Sequence, residues 1–266
     1  MCWFPPAGSL GALPNLRLVY SIGSGVDHLA QDLSRDPALP VCRVIDPDHT
    51  QGMSEYVHWG VLHFHRGFDQ VIAGNATQRW QRPVQRRAQG FKVGVMGLGA
   101  IGAPVATRLA EAGYDVRGWA RTPRVIDGVS TFSGASALPG FLTELDVLVN
   151  LLPLTAATQG VLGREVFQYM ARGSALINCG RGQHLNQLEL QQALASGQLR
   201  GALLDVFEQE PLPTDSPLWH TPGVWVTPHM ASAASDQCIA QQVADNVSRL
   251  TVGLALNNLV DPEQGY

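Results

Sequence analysis

The chain has 266 residues and a net charge of −4. That is long enough for a sizeable core in one or two domains, without the basic excess that favours nucleic acid or an anionic membrane surface. Four scattered cysteines, Cys2, Cys42, Cys179 and Cys238, form no CxxC pair and no metal-ligand spacing; they read as free thiols in a reducing compartment, and with no basic leader or long apolar run a cytoplasmic protein is expected.

Residues 1–48 read as part of a small α/β unit. An apolar strand over 1–4 runs into Pro5-Pro6, and residues 16–21 (LRLVYS) form a second strand. Gly23-Ser24-Gly25 is a tight turn, residues 26–33 a short helix and 41–45 another strand. A long helix is expected over 53–72 with Ser54 as N-cap. Met53, Tyr56, Val57, Val61, Phe64, Phe68, Val71 and Ile72 fall on one stripe of it. His63 and His65 are two apart and face different ways, so packing or solvation is expected rather than metal binding. Arg79, Arg82, Arg86 and Arg87 lie in a polar stretch with Gln and Pro and read as a solvated connector.

Residues 91–124, FKVGVMGLGAIGAPVATRLAEAGYDVRGWARTPR, organise the rest. A short apolar strand leads into Gly97-Leu98-Gly99-Ala100-Ile101-Gly102; a helix ends at Gly113, and a second strand follows over 114–119. In that context the three glycines permit a tight turn, close approach of a pyrophosphate and packing of helix on strand. The phosphates would meet free N–H groups at the helix N-terminus. A chain built for NAD usually carries Asp or Glu about 20 residues after the glycines to bind the ribose 2′-hydroxyl. Here that place holds Ala120, then Arg121, Thr122 and Arg124. Two guanidiniums and a hydroxyl suit a 2′-phosphate. The cofactor read from these residues is NADPH, with NADH the weaker alternative.

Apolar strands over 147–152, 175–178, 202–205 and 224–227 alternate with helical stretches over 164–171 and 186–196. Such alternation implies a parallel, doubly wound sheet. Leu152 and Pro153, with Thr158 beyond, follow a strand at the sheet's carboxyl edge, where such folds bind ligands. A last helix carries Ile239, Val243, Val247, Leu250 and Leu254 on one face. Having no following strand, it could return to cover the N-terminal unit.

Three strand-end loops carry groups suited to reducing a carbonyl: residues 178–182 (NCGRG), 205–211 (DVFEQEP) and 227–229 (TPH). An Arg can grip an α-keto carboxylate, a His can protonate the oxygen as hydride arrives, and a nearby Glu favours the imidazolium. The segments NCGRG, GALLDVFEQEPLP and VTPHMAS resemble those of the D-isomer-specific 2-hydroxyacid dehydrogenases, and the N-terminal WFPPAGSLGALPNLRLVYSIGSGVDHL and C-terminal LVDPEQGY look closest to the glyoxylate/hydroxypyruvate reductase A branch.

The resemblance implies a fold and a set of roles. The fold is α/β: a doubly wound parallel (Rossmann) cofactor domain over 51–232, plus an N-terminally shortened flavodoxin-like substrate domain from 1–50 and 233–266. Arg181 matches the substrate-activating Arg, Glu210 the partner of the catalytic His, and His229 that His. Ser24 and Gly25 match the loop that holds the substrate carboxylate, and Trp3 resembles an aromatic at the pocket. Asp205 matches the acid that helps seat the nicotinamide carboxamide, with Cys179 a wall near it. The implied reaction is NADPH-dependent reduction of a small 2-oxo acid, glyoxylate or hydroxypyruvate, by a homodimer. A dehydrogenase for another D-2-hydroxy acid, a dinucleotide-sensing relative without catalysis and a weakly active shortened form stay open. Family members usually carry an opening strand, helix and second strand ahead of Trp3, so the strand over 1–4 is expected to become a sheet edge.

Overall fold

The computed structural model describes residues 1–3, 5, 6, 8–29 and 39–261. Two compact units make up the chain: Met1–Gln51 with Ala233–Tyr266, and Gly52–Ser232.

In the first unit, β1 (Val19–Ser21) and β2 (Val41–Arg43) pair in parallel, with Val19 opposite Val41. Where a strand was expected over 1–4, Cys2 makes a single parallel bridge to Ser21; Phe4 lies outside the described residues. Of the helix expected over 26–33, the described part is a 3-10 turn, Asp27–Leu29, and residues 30–33 lie outside.

Helix α1 spans Pro47–His65, starting well ahead of Met53. Ser54 is therefore no cap but a buried residue inside the helix. The start is set by Asp46, whose carboxylate accepts the Asp48 N–H at 2.9 Å, and by Pro47, which has no N–H to leave unpaired. Gly67, left-handed at φ 71°, breaks the expected single helix, and α2 (Phe68–Ala76) begins there. No residue of α2 is buried, so Phe68, Val71 and Ile72 are not core. In the connector beyond, Arg86 is not simply solvated. Its guanidinium bonds both oxygens of Asp146 and lies 5.1 Å from the Phe91 ring centroid.

The second unit is built on a parallel sheet. In chain order its elements are β3 (Lys92–Met96), α3 (Gly102–Glu111), β4 (Asp115–Ala120), β5 (Ser130–Ser133), α4 (Leu138–Leu142), β6 (Val147–Asn150), α5 (Arg164–Phe167), β7 (Ser174–Asn178), α6 (Gln187–Ala195), β8 (Leu199–Leu204) and β9 (Val224–Val226). The sheet order is β5-β4-β3-β6-β7-β8-β9, every pair parallel. Strand β5 escapes a reading by apolar runs because Ser130, Thr131 and Ser133 are polar and it lies at the sheet edge. Central strands are buried on both faces, as a covered parallel sheet requires. Val147 and Val149 join one core with Val95, Ile177 and helix α1, while Leu148 joins the opposite one with Met96, Leu176 and Leu204. The strand order reverses between β3 and β6, the point at which open α/β sheets receive ligands.

Helix α7 (Asp236–Val252) closes the first unit, capped by the Ser235 hydroxyl and ended by Gly253 at φ 72°. Ile239 and Val243 pack on Tyr20, Cys42 and Val44 as expected, but Val247 and Leu254 are exposed. The doubly wound parallel fold read from the sequence is the one observed for the unit with the seven-stranded sheet.

Candidate active site

The glycine-rich loop leaves β3 at Gly97, which takes φ 103°. A Cβ there would meet the Leu151 carbonyl oxygen at 2.7 Å, and at Gly102 one would stand 1.7 Å from the Gly97 carbonyl oxygen. Both positions need glycine because backbone runs against backbone. Gly99 differs: nothing lies within 4 Å of its would-be Cβ. Open space at the middle glycine, at the head of α3 where no side chain caps the helix, is what a close-lying pyrophosphate needs. The residues present therefore fit a dinucleotide. Arg121, Thr122 and Arg124 follow the end of β4 and are exposed.

The end of β6 is shaped from within. Asn150 Oδ1 accepts the Leu152 N–H at 3.3 Å. Farther along, the Thr158 hydroxyl donates to the Pro153 carbonyl at 2.8 Å and accepts the Thr155 N–H at 2.8 Å.

The Arg181, Glu210 and His229 loops come together at the ends of β7, β8 and β9. His229 Nδ1 and a Glu210 carboxylate oxygen are 2.7 Å apart, and the other Glu210 oxygen accepts the Phe207 N–H at 2.9 Å. Burial by itself would raise the Glu210 carboxyl. The hydrogen bonds from His229 and Phe207, with the nearby charges of His229 and Arg181, outweigh it and hold the group below its ordinary value. Gly182 lets the loops meet, since a Cβ there would strike the Phe207 backbone at 1.8 Å. The Arg181 guanidinium donates to the Gly180 carbonyl at 2.9 Å.

Asp205 is 1% exposed and its carboxylate is engaged by the His229 loop. It accepts the Thr227 hydroxyl at 2.7 Å, the Met230 N–H at 2.9 Å and the Ala231 N–H at 3.0 Å. With the Thr227 proton so committed, the Tyr56 hydroxyl must donate to Thr227 Oγ1, 2.5 Å away. Burial pushes the Tyr56 phenol up, which keeps it a donor. Burial, then the Asp205 charge, likewise raises the Cys179 thiol, which keeps it protonated and unreactive.

In the first unit, the Ser21 hydroxyl donates to the Gly25 carbonyl at 2.9 Å, fixing the turn that carries Ser24 and Gly25. Ser24 Oγ pairs with His49 Nδ1 at 3.0 Å. The Trp3 ring covers Gly23, where a Cβ would be 2.2 Å from it, and sits 5.2 Å from the His28 ring.

Residues 59–231 match the family model described as D-isomer specific 2-hydroxyacid dehydrogenase, NAD binding domain. The chain belongs to the D-isomer specific 2-hydroxyacid dehydrogenase family. Glyoxylate/hydroxypyruvate reductase A from Serratia proteamaculans is 37% identical over the whole chain and 87% of its own length. A family member of solved structure from Klebsiella pneumoniae superposes with a TM-score of 0.95 at 48% identity, covering 98% of this chain and 84% of that one. The NADPH-dependent glyoxylate/hydroxypyruvate reductase from Sinorhizobium meliloti, solved with NADP and sulfate, gives 0.93 at 37% identity, covering 100% and 85%.

In this 2-hydroxyacid dehydrogenase several site residues escape a reading of motifs. Asn150, His184 and Tyr56 belong to no spacing rule, and their polar side chains become meaningful only through the partners the fold supplies. Among the described residues no helix is long and apolar enough to cross a membrane, and no group of three or more His, Cys, Asp or Glu could hold a metal.

Proposed function

We propose that this enzyme reduces small 2-oxo acids with NADPH, turning glyoxylate into glycolate and hydroxypyruvate into D-glycerate. The observation that carries the reading is the 2.7 Å pair of His229 and Glu210 beside the Arg181 loop, on the sheet that also bears the dinucleotide loop. The names and bound cofactors of the relatives support it. So does a β4 end with Arg121, Thr122 and Arg124 and no carboxylate at the usual ribose position. Residues 51–232 serve as the NADP-binding domain, and 1–50 with 233–266 as the substrate domain.

NADPH, when bound, supplies the hydride for the carbonyl carbon. Gly97, Gly99, Ala100, Ile101 and Gly102 would hold its phosphates, Leu152, Pro153, Thr158 and Cys179 would line the cofactor path, and Asp205 would help seat the nicotinamide carboxamide. Arg181 binds the substrate carboxylate and polarises its carbonyl, and in the substrate domain Ser24, Gly25 and Trp3 are the residues we assign to substrate binding. His229 donates a proton to the carbonyl oxygen. Its Nδ1 faces Glu210, so that proton leaves from Nε2, and the Glu210 carboxylate stabilises the charged ring until it does.

The protein acts in the cytoplasm as a homodimer; four free cysteines suit a reducing compartment. The decisive experiment follows NADPH consumption with glyoxylate, hydroxypyruvate and pyruvate. His229→Ala is expected to lower turnover by about 10²–10⁴-fold, the usual worth of positioned acid–base catalysis, with NADPH affinity retained. Near-normal turnover in that variant would remove His229 as the proton donor.

A further inference from the structure

His184 lies three residues past Arg181 and is fully buried. Its Nδ1 receives two N–H groups, the Arg181 backbone amide at 3.0 Å and the Asn150 side-chain amide at 2.9 Å. The orientation of Asn150 is fixed, because its Oδ1 accepts the Leu152 N–H and its Nδ2 also donates to Asn178 Oδ1 at 2.9 Å. Nδ1 of His184 is thus an acceptor. The neutral ring must then carry its proton on Nε2, which donates to the Pro153 carbonyl at 3.3 Å. Asn178 completes the cluster, accepting the Gly180 N–H at 3.2 Å and donating to the Arg181 carbonyl at 3.1 Å. Gly180 is part of the same fit: a Cβ there would stand 2.6 Å from Asn150 Nδ2 and 2.8 Å from His184 Nδ1.

One imidazole therefore pins two loops that arise from different strands. Its Nδ1 side holds the backbone of Arg181, and its Nε2 side holds Pro153. Inside a protein such linked bonds reinforce one another, and an unpaired member is costly. A charged imidazolium would present a donor to two donors, so the arrangement requires a neutral ring.

We propose that His184 is a positioning residue with two separable arms: Nδ1 sets Arg181 for the 2-oxo acid, and Nε2 sets the Pro153 loop for NADPH. This rests on the reading above that Arg181 binds the acid and Pro153 lines the cofactor path. The arms can be cut one at a time. Asn places its Oδ1 as many bonds from the backbone as His Nδ1, so His184→Asn keeps the Arg181 arm and loses the Pro153 arm. Gln reaches as far as Nε2, so His184→Gln keeps the Pro153 arm and loses the other.

The test measures dissociation constants of NADPH alone, and of oxamate as a 2-oxo acid isostere in the NADPH complex, together with the thermal midpoint. His184→Asn should weaken NADPH and spare oxamate, whereas His184→Gln should do the reverse. Each loss is expected at roughly tenfold, the scale of one hydrogen bond left unmade. A double-mutant cycle adds a second readout: in an Arg181→Ala background, His184→Gln should weaken oxamate no further, since the residue acts through Arg181. Equal losses of both ligands in both variants, losses that only follow a fall in thermal midpoint, failure of both variants to fold, or additivity in the cycle would each overturn the proposal. If instead Arg181→Ala alone leaves oxamate binding intact, it is the underlying reading of Arg181 that fails.

Discussion

At His229 the backbone turns left-handed, φ 51°, a conformation that costs a non-glycine residue about 1–3 kcal/mol and persists only where its surroundings over-determine it. Asp205 supplies that restraint. Its carbonyl accepts the His229 N–H at 2.8 Å, and its carboxylate takes Thr227, Met230 and Ala231. The ring is thereby aimed at Glu210. The Glu210 carboxyl is lowered from its ordinary 4.5, so it binds protons less readily in the folded state than in the unfolded one. Its stabilisation is complete above 4.5 and lost as pH falls through the lower native value. Urea unfolding of wild type and Glu210→Gln should therefore show a stability gap near neutrality that closes in acid; a gap independent of pH would contradict the pairing. At the other end of the cofactor, losing a charge-assisted bond costs roughly 1.5–3 kcal/mol. The double variant Arg121→Ala, Arg124→Ala should thus weaken NADPH by at least about tenfold and leave NADH nearly unchanged. Equal losses for both cofactors would show that these side chains do not read the 2′-phosphate.

The strand–glycine–helix element β3–α3 separates two kinds of glycine. Gly102 is packed against the Gly97 carbonyl, whereas Gly99 faces open space. Gly102→Ala should lower the thermal midpoint, because backbone must move to admit one methyl group. Gly99→Ala should leave the midpoint unchanged and weaken NADPH, because that methyl occupies the space the pyrophosphate needs. Thermal unfolding and cofactor titration of both variants decide this, and a Gly99→Ala protein that binds NADPH normally would place the phosphates elsewhere. At the same scale α1 illustrates where a periodic stripe misleads. Spacing carried the helix through to Ile72, but Gly67 ends its direction, and the apolar residues beyond it are left on an exposed helix.

On the molecule as a whole that surface has a consequence. Phe68 is 51% exposed and Ile72 42%, while Trp80 and Val84 in the following segment are 103% and 87% exposed. These exposed apolar side chains, all within residues 68–84, are the surface we propose for self-association. Light scattering should give a mass of about twice 28.6 kDa, and Trp80→Ser with Val84→Ser should shift it toward the single chain. A single-chain mass for the wild type at working concentration would remove the homodimer. Burial pushes the Cys42 thiol up to about 11 and, together with the nearby Asp205 charge, raises the Cys179 thiol as well.

By itself the sequence determined the features that rest on short-range rules. The glycine spacing sits inside one strand–turn–helix, the basic residues follow one strand, and Arg181, Glu210 and His229 stand in loops whose motifs resemble a known family. Alternating apolar runs were enough for a parallel sheet, because strands buried on both faces must be apolar throughout. Only the tertiary structure decided what depends on partners distant in the chain. Strand β5 is held by its pairing with β4 rather than by an apolar run. Arg86 becomes an anchor because Asp146 lies beside it. Asp205 clamps the His229 loop because β8 and β9 end side by side. His184 is a lone histidine in sequence, and its tautomer and task exist only once Asn150, Arg181 and Pro153 converge on it, since a hydrogen bond is a property of two groups and the chain spells out only one at a time.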